Sequence, residues 1–182
     1  METDSSVSVV YDASFKIDPM LPYRQLTSFA ALVDKPNHVA IIENFREHML
    51  QEMIELDIDR LMNTMVAQPE LHFYGLGAPS DIGYDAVRDH YLKSFPSRAL
   101  GGVTMDVHRL LVDDDALYLD GSGLFSLDFT KEHFGVTIET DRPAIITKHV
   151  AVLCPYTDGK IRYEAQYYGG AVTAADLVYL DD

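Results

Sequence analysis

Asp158-Gly159 constrains this chain more than any other dipeptide. Between two strand-like runs, Asp-Gly favours a two-residue turn with both residues at positive φ, and such a turn closes a tight hairpin. The run before it, Ala144 to Leu153, is largely apolar, and the run after it, Lys160 to Tyr168, alternates. One face of the second run carries Ile161, Tyr163, Ala165 and Tyr167. The other carries Arg162, Glu164, Gln166 and Tyr168. Such an arm belongs to an antiparallel sheet. Its polar face either meets water or lines a pocket, and that choice decides what chemistry the chain can do.

Upstream of the hairpin the period changes. Ile41, Phe45, Met49 and Met53 recur every four residues after Asn37, a helix cap by residue type. A pause at Leu56-Asp57 leads into a second helix, with Ile58, Leu61, Met62, Met65 and Val66 at helical spacing before Pro69. The Met-rich stripe is read as core packing. A short strand, Leu71 to Tyr74, follows. A third helix, Gly83 to Phe95, presents Tyr84, Val87, Tyr91 and Phe95 on one side. Two strands, Thr104 to Val112 and Leu117 to Leu127, flank the acidic turn Asp113-Asp114-Asp115. A less regular segment, Asp128 to Arg142, precedes the final hairpin, and Ala171 to Tyr179 reads as a short closing helix. Helices first and antiparallel strands after them argue for an α+β fold, one curved sheet with helices over its concave face. Residues 1–36 show no sustained period. They read as an N-terminal extension with one short helix from Tyr23 to Val33, packed on the domain or on a partner; the domain proper is 37–182.

Several function classes are set aside on general grounds. A formal net charge of −15 repels phosphate backbones and anionic membranes, so nucleic acid and membrane surfaces are not expected partners. No run approaches the roughly 20 apolar residues of a membrane span. The acidic start, Met1-Glu2-Thr3-Asp4, lacks the basic region of a signal peptide, so a cytoplasmic protein is expected. The lone Cys154 fits a reducing compartment and forms no internal disulfide. No phosphate loop, nucleophile elbow or Cys/His metal cluster is present, and Gly75-x-Gly77 is too short to count.

Three motifs, in order and at the right spacing, carry a family resemblance. The helix Gly83-Tyr-Asp-Ala-Val-Arg-Asp-His-Tyr91 resembles the G-x-x-A-I-R-x-F/Y helix of the nuclear transport factor 2-like superfamily. Val112 to Gly121 resembles its central hairpin, and Asp158-Gly-Lys-Ile161 its closing turn. The nearest group is the SnoaL-like polyketide cyclases, over roughly residues 38–170. The resemblance implies a cone-shaped α+β barrel, its curved antiparallel sheet wrapped over about three N-terminal helices around an apolar pocket. It also implies a homodimer or higher homo-oligomer built on the outer sheet face, a small hydrophobic molecule as ligand, and no cofactor. It does not select a function, because the same cone hosts isomerases, dehydratases, cyclases, oxygenase subunits and non-catalytic binders.

By that resemblance the inward residues are His72 and Tyr74 on the first strand and His149, Ala151 and Leu153 on the penultimate one. Glu164, Gln166 and Tyr168 follow on the last, with Met49, Met53 and Tyr91 closing the cone. The ketosteroid isomerase pattern fails, since its functional positions are Met49, Tyr74 and Ala151 here. The scytalone dehydratase dyad fails too, its positions being Ile54 and Gly101 or Gly102. What remains is Glu164 with His149, His72 and Tyr74. A carboxylate in an apolar cone is expected to have a raised pKa and to act as general acid or base on a hydrophobic carbonyl compound, an imidazole serving as partner and a Tyr hydroxyl holding the oxyanion. The competing readings are ordinary structural ones. Strand histidines often bond a backbone carbonyl, and Glu164 can pair with Arg162. His48 and Glu52, one turn apart, belong to an exposed run with Glu43, Glu47 and Glu55, so no metal site is expected. His108-Arg109 is an outer-strand pair, Asp120 and Asp128 are read as solvated carboxylates with a place on the cone's rim as the alternative, and Cys154 alternates outward. A non-catalytic binder and a purely dimeric accessory domain stay open beside the enzyme.

Overall fold

Proline and the residue before it set where the second helix starts. In the computed structural model, which describes residues 17–75, 79–99, 102–127, 131–133, 136–138, 144–170 and 173–179, α2 spans Pro36–Leu50. Its N-cap is Lys35, held extended (φ −78°, ψ 124°) as a residue preceding proline must be. Asn37 is therefore not the cap. Its side-chain amide donates instead to Asp114 Oδ1 at 2.9 Å. Ahead of it, α1 (Leu21–Ala30) falls within the expected extension and buries Leu26 against the domain. Gln25 ties it to the sheet: its amide donates to Asp106 Oδ1 (2.7 Å) and the Val107 carbonyl (3.2 Å), and its oxygen accepts from Val107 N–H (2.9 Å). Those backbone groups sit on an edge strand and would otherwise be unpaired.

After α2 the chain makes a π-helical turn, Gln51–Glu55, and stops at Leu56 in the left-handed region (φ 56°). Asp57 then caps α3 (Ile58–Asn63), accepting from Asp59 and Arg60 N–H, both at 3.1 Å. This helix is shorter than its apolar spacing implied. Strand β1 (Met65–Tyr74) claims Met65 for the sheet, and the register slips between Met65 and Glu70, a stretch containing Pro69, which has no N–H to donate. A two-residue strand, β2 (Asp81–Ile82), precedes α4 (Tyr84–Ala99), whose Val87, Tyr91 and Phe95 face inward as expected.

The remaining strands are β3 (Val103–Val112), β4 (Ala116–Leu127), the small hairpin β5 (Lys131–His133) with β6 (Val136–Ile138), β7 (Ala144–Thr157) and β8 (Lys160–Tyr168). The β7–β8 turn has Asp158 at φ 52° and Gly159 at φ 74°, the conformation an Asp-Gly hairpin needs. The main sheet runs β2-β1-β8-β7-β4-β3 and curves without closing. It is mixed rather than wholly antiparallel: β1 runs parallel to β8. The expected closing helix is instead a single 3₁₀ turn, Ala174–Asp176, followed by β9 (Leu177–Tyr179) on the start of β7. Helices and sheet enclose a core that includes Phe45, Leu61, Leu119, Ile146 and Ile161. Among the described residues no helix is long and apolar enough to cross a membrane.

Candidate functional site

Sheet register decides which side chains enter the cone. Residues directly opposed on neighbouring strands share a face. Val150 pairs with Tyr168 and Val152 with Gln166, while Leu71 pairs with Glu164 and Phe73 with Gln166. With Glu164, Gln166 and Tyr168 inside, the even-numbered residues of β7 and the odd-numbered residues of β1 are inside with them. Five of the residues expected inside therefore lie on the outer face. His149 is exposed, Ala151 stands opposite Tyr167, and Leu153 opposite Ala165. His72 bonds Glu70 Oε2 and Ser80 Oγ, each at 2.8 Å, and Tyr74 stacks on Tyr167 at 4.7 Å. A one-residue offset on β1 and on β7 accounts for all of them. The same offset brings Cys154 inward, where it is fully buried.

Inside the cone is a cavity of about 70 Å³, roughly half the size of a cavity that holds benzene. Its apolar wall includes Phe45, Met49, Met53, Val150 and Val152, and its polar wall is Glu52, Arg98, Glu164, Gln166 and Tyr168. Met49, Met53, Gln166 and Tyr168 thus line it. Tyr91 stands behind the wall, fully enclosed. The unbranched thioethers of Met49 and Met53 re-pack at low cost.

The polar wall is one connected set. Glu164, 4% exposed, accepts at Oε1 from the Gln166 amide (2.6 Å) and at Oε2 from the Tyr91 hydroxyl (3.2 Å). The Tyr168 hydroxyl donates in turn to Gln166 Oε1. His48 Nε2 lies 3.4 Å from Glu164 Oε2, 3.9 Å from Glu52 Oε2 and 3.1 Å from the Tyr91 oxygen. The second oxygen of Glu52 takes Arg98 Nη1 at 2.7 Å. Hydrogen-bond directions fix the imidazole. Thr64 Oγ1 donates to the Leu61 carbonyl (2.6 Å), so at 2.7 Å it accepts from His48 Nδ1–H. Nε2 faces the Tyr91 oxygen and both carboxylates, and the Arg98 guanidinium pairs with Glu52.

The electrostatic consequence reverses an expectation. Burial pushes the Glu164 pKa up, but the hydrogen bond and charge of His48, with the bonds from Gln166 and Tyr91, outweigh it, and the carboxyl is held below its ordinary value. Burial, reinforced by Glu164 and Glu52, pushes the hydroxyls of Tyr91 and Tyr168 up, which keeps them neutral donors. The Cys154 thiol is pushed up for the same reasons and stays protonated.

Three residues of this set, His48, Glu52 and Arg98, are not among the sequence candidates, and residue type alone places the first two in an exposed run. They are in fact 0% and 3% exposed. A signal was available: His48 and Glu52 stand seven and eleven residues after Ile41, on the same helical stripe as Phe45 and Met49. The π-helical turn then keeps Glu52 directed at the cavity. Arg98 lies three residues beyond the last residue assigned to its helix, so its face was not assigned. Elsewhere, His38, Asp113 and Asp114 offer ligand atoms within 4.8 Å of one another, but His38 Nε2 is already paired with Asp114 Oδ1 at 2.9 Å. Asp120, its side chain 15% exposed, has Oδ2 3.9 Å from Arg109 Nε, and Asp128 lies outside the described residues.

No protein-family model matches the sequence, and no curated protein matches it at the sequence level. Solved structures do match. A candidate SnoaL-like polyketide cyclase from Jannaschia sp. CCS1 superposes with a TM-score of 0.56 at 13% identity, over 75% of this chain and 90% of its own. A nuclear transport factor 2-like protein from Anabaena variabilis gives 0.55 at 12% identity, over 77% and 96%. SalBIII, an epoxide hydrolase/cyclase-like enzyme with a role in pyran ring formation in the polyether salinomycin, gives 0.53 at 14%, over 76% and 95%. At these identities the likeness establishes the fold: this chain has the cone-shaped α+β fold of the nuclear transport factor 2-like superfamily, shared with proteins of the SnoaL-like group.

Proposed function

We propose that this nuclear transport factor 2-like cone binds a small, largely apolar molecule and moves a proton on it through Glu164, without a cofactor, as in cyclase, dehydratase or isomerase chemistry. One observation carries the proposal: an almost fully buried carboxyl, whose hydrogen-bond partners favour its charged form, is part of the wall of an otherwise mainly apolar cavity. An ionised carboxylate is a base, not an acid, so the first step is proton abstraction. Gln166 and Tyr91 fix the orientation of the carboxylate, and His48 keeps it ionised. When the proton arrives, Glu164 becomes neutral, and the negative charge left on the ligand faces a site that has gained one net positive charge.

A second reading, a non-catalytic binder, is favoured by the fact that both Glu164 oxygens are already bonded, which weakens it as a base. Cyclopentanone in D₂O separates the two, because its α-hydrogens exchange only if a base removes them. Exchange followed by proton NMR is expected to be faster with the protein than in buffer, and Glu164→Gln is expected to lose about 100-fold or more of the enhancement. Binding of cyclopentanone without enhanced exchange would establish the binder instead. Equal enhancement in both proteins would remove Glu164 from the chemistry.

A further inference from the structure

We infer that Arg98 is the oxygen-binding pole of the cavity and that the ligands it selects are neutral carbonyl compounds; this rests on the cavity being a ligand site. Arg98 follows Pro96 near the end of α4, and its side chain is 12% exposed on the cavity wall. Its donors are unequally used. Nε donates to Ser94 Oγ at 3.1 Å, while Nη1 serves Glu52 Oε1 at 2.7 Å and Met53 Sδ at 3.1 Å. Among the described residues Nη2 has no hydrogen-bond partner in the protein, so its two N–H groups are left to whatever occupies the space beside them. A ligand oxygen that takes the place of water there gains a hydrogen bond to a charged donor.

Charge then narrows the class. Glu52 and Glu164 share the wall with Arg98, and His48 stands behind them, so two carboxylates already face the one guanidinium before anything enters. An anionic ligand would add a third negative charge beside two carboxylates. A neutral carbonyl adds none: its oxygen accepts from Nη2, and its apolar body packs on Val150, Val152 and Met49. If Glu164 removes an α-proton, the C–H electron pair becomes the enolate π bond, and the charge that develops on oxygen lies at the guanidinium. Arg98 thereby supplies the oxyanion contact that the sequence had assigned to Tyr74, which lies on the outer face.

Two probes of nearly one shape test this. Cyclopentanone carries a carbonyl oxygen where methylenecyclopentane carries a CH₂ group, and both are titrated into the protein by NMR. The ketone is expected to bind about tenfold more tightly or better, as for a hydrogen bond to a charged donor. The preference is expected to vanish in the double variant Glu52→Gln/Arg98→Met, which removes the pair together so that no carboxylate is stranded, while the hydrocarbon's affinity stays within about twofold. Equal affinities in the natural protein would overturn the assignment and leave the cavity as a binding site. So would a ketone preference that survives the double variant. If neither probe binds, the cavity reading falls and this assignment falls with it. Should the double variant fail to fold, Arg98→Lys decides: it keeps the charge but loses the second amino group, and an undiminished ketone preference would overturn the assignment.

Discussion

Replacing His48 by leucine, a side chain of similar volume, is expected to destabilise the fold by about 3–5 kcal/mol, the cost of leaving a buried carboxylate without its partner. The ring is fully buried and lies between two carboxylates, with Nε2 3.4 Å from Glu164 and 3.9 Å from Glu52. Leucine leaves both carboxylates in a poorly solvated site with only Arg98 to balance them. Urea unfolding measures the loss, and for a chain of this size the melting temperature should fall by about 10 °C. Adding Glu164→Gln to His48→Leu removes the stranded charge, so the double variant is expected to be more stable than the sum of the single effects by at least about 1 kcal/mol. Additive effects would mean that the two groups do not interact.

The second large effect is expected at Gly121, where Gly121→Ala should cost about 3 kcal/mol or more. Gly121 pairs with Val107 beside the register shift of β3. A Cβ there would sit 2.0 Å from the Asp106 carbonyl oxygen and 3.1 Å from Val107 Cα, all backbone, so the two strands must part. Gly123, two residues on, is the control. Its Cβ would meet the Phe125 ring at 2.8 Å, and a ring can swing where a strand cannot. Thermal unfolding of both variants should show a much larger loss for Gly121→Ala; equal losses would contradict the close approach of β3 and β4.

The fold was legible because its signals are local. Asp158-Gly159 specifies the hairpin, Asp57 caps α3 through its own side chain, and Val87, Tyr91 and Phe95 lie on one helical face. The site was less legible because it depends on relations between strands. Alternation within β8 separates Glu164 from Ala165, but nothing in β1 or β7 alone says which of their residues stand opposite Glu164. That is set by pairing, and His72, Tyr74, His149 and Ala151 fell on the wrong side of it. Residue type misled in a different way. His48 and Glu52 read as solvent-facing beside Glu47 and Glu55, yet helical spacing puts them on the buried stripe, where they pair with groups from α4 and β8 that only the fold brings near. The expected rise in the Glu164 pKa failed for the same reason, since its direction depends on partners 73 and 116 residues away in sequence: 164 − 91 for Tyr91 and 164 − 48 for His48.

The protonation of Glu164 itself is the most direct measurement. Its pKa in the folded chain lies below the ordinary 4.5, because its bonds to His48, Gln166 and Tyr91 favour the charged form more than burial disfavours it. A depressed carboxyl stabilises the fold above its unfolded value, and that stabilisation is lost as pH falls through the folded one. Carbon-13 NMR of the Glu164 carboxyl, titrated downward from pH 7, should show it ionised throughout the neutral range, with a midpoint below 4.5. In parallel, Glu164→Gln should flatten the acid limb of the stability curve. A midpoint above 4.5 would contradict the arrangement, for it would describe a lone carboxyl in an apolar cone rather than one held charged by a buried imidazole.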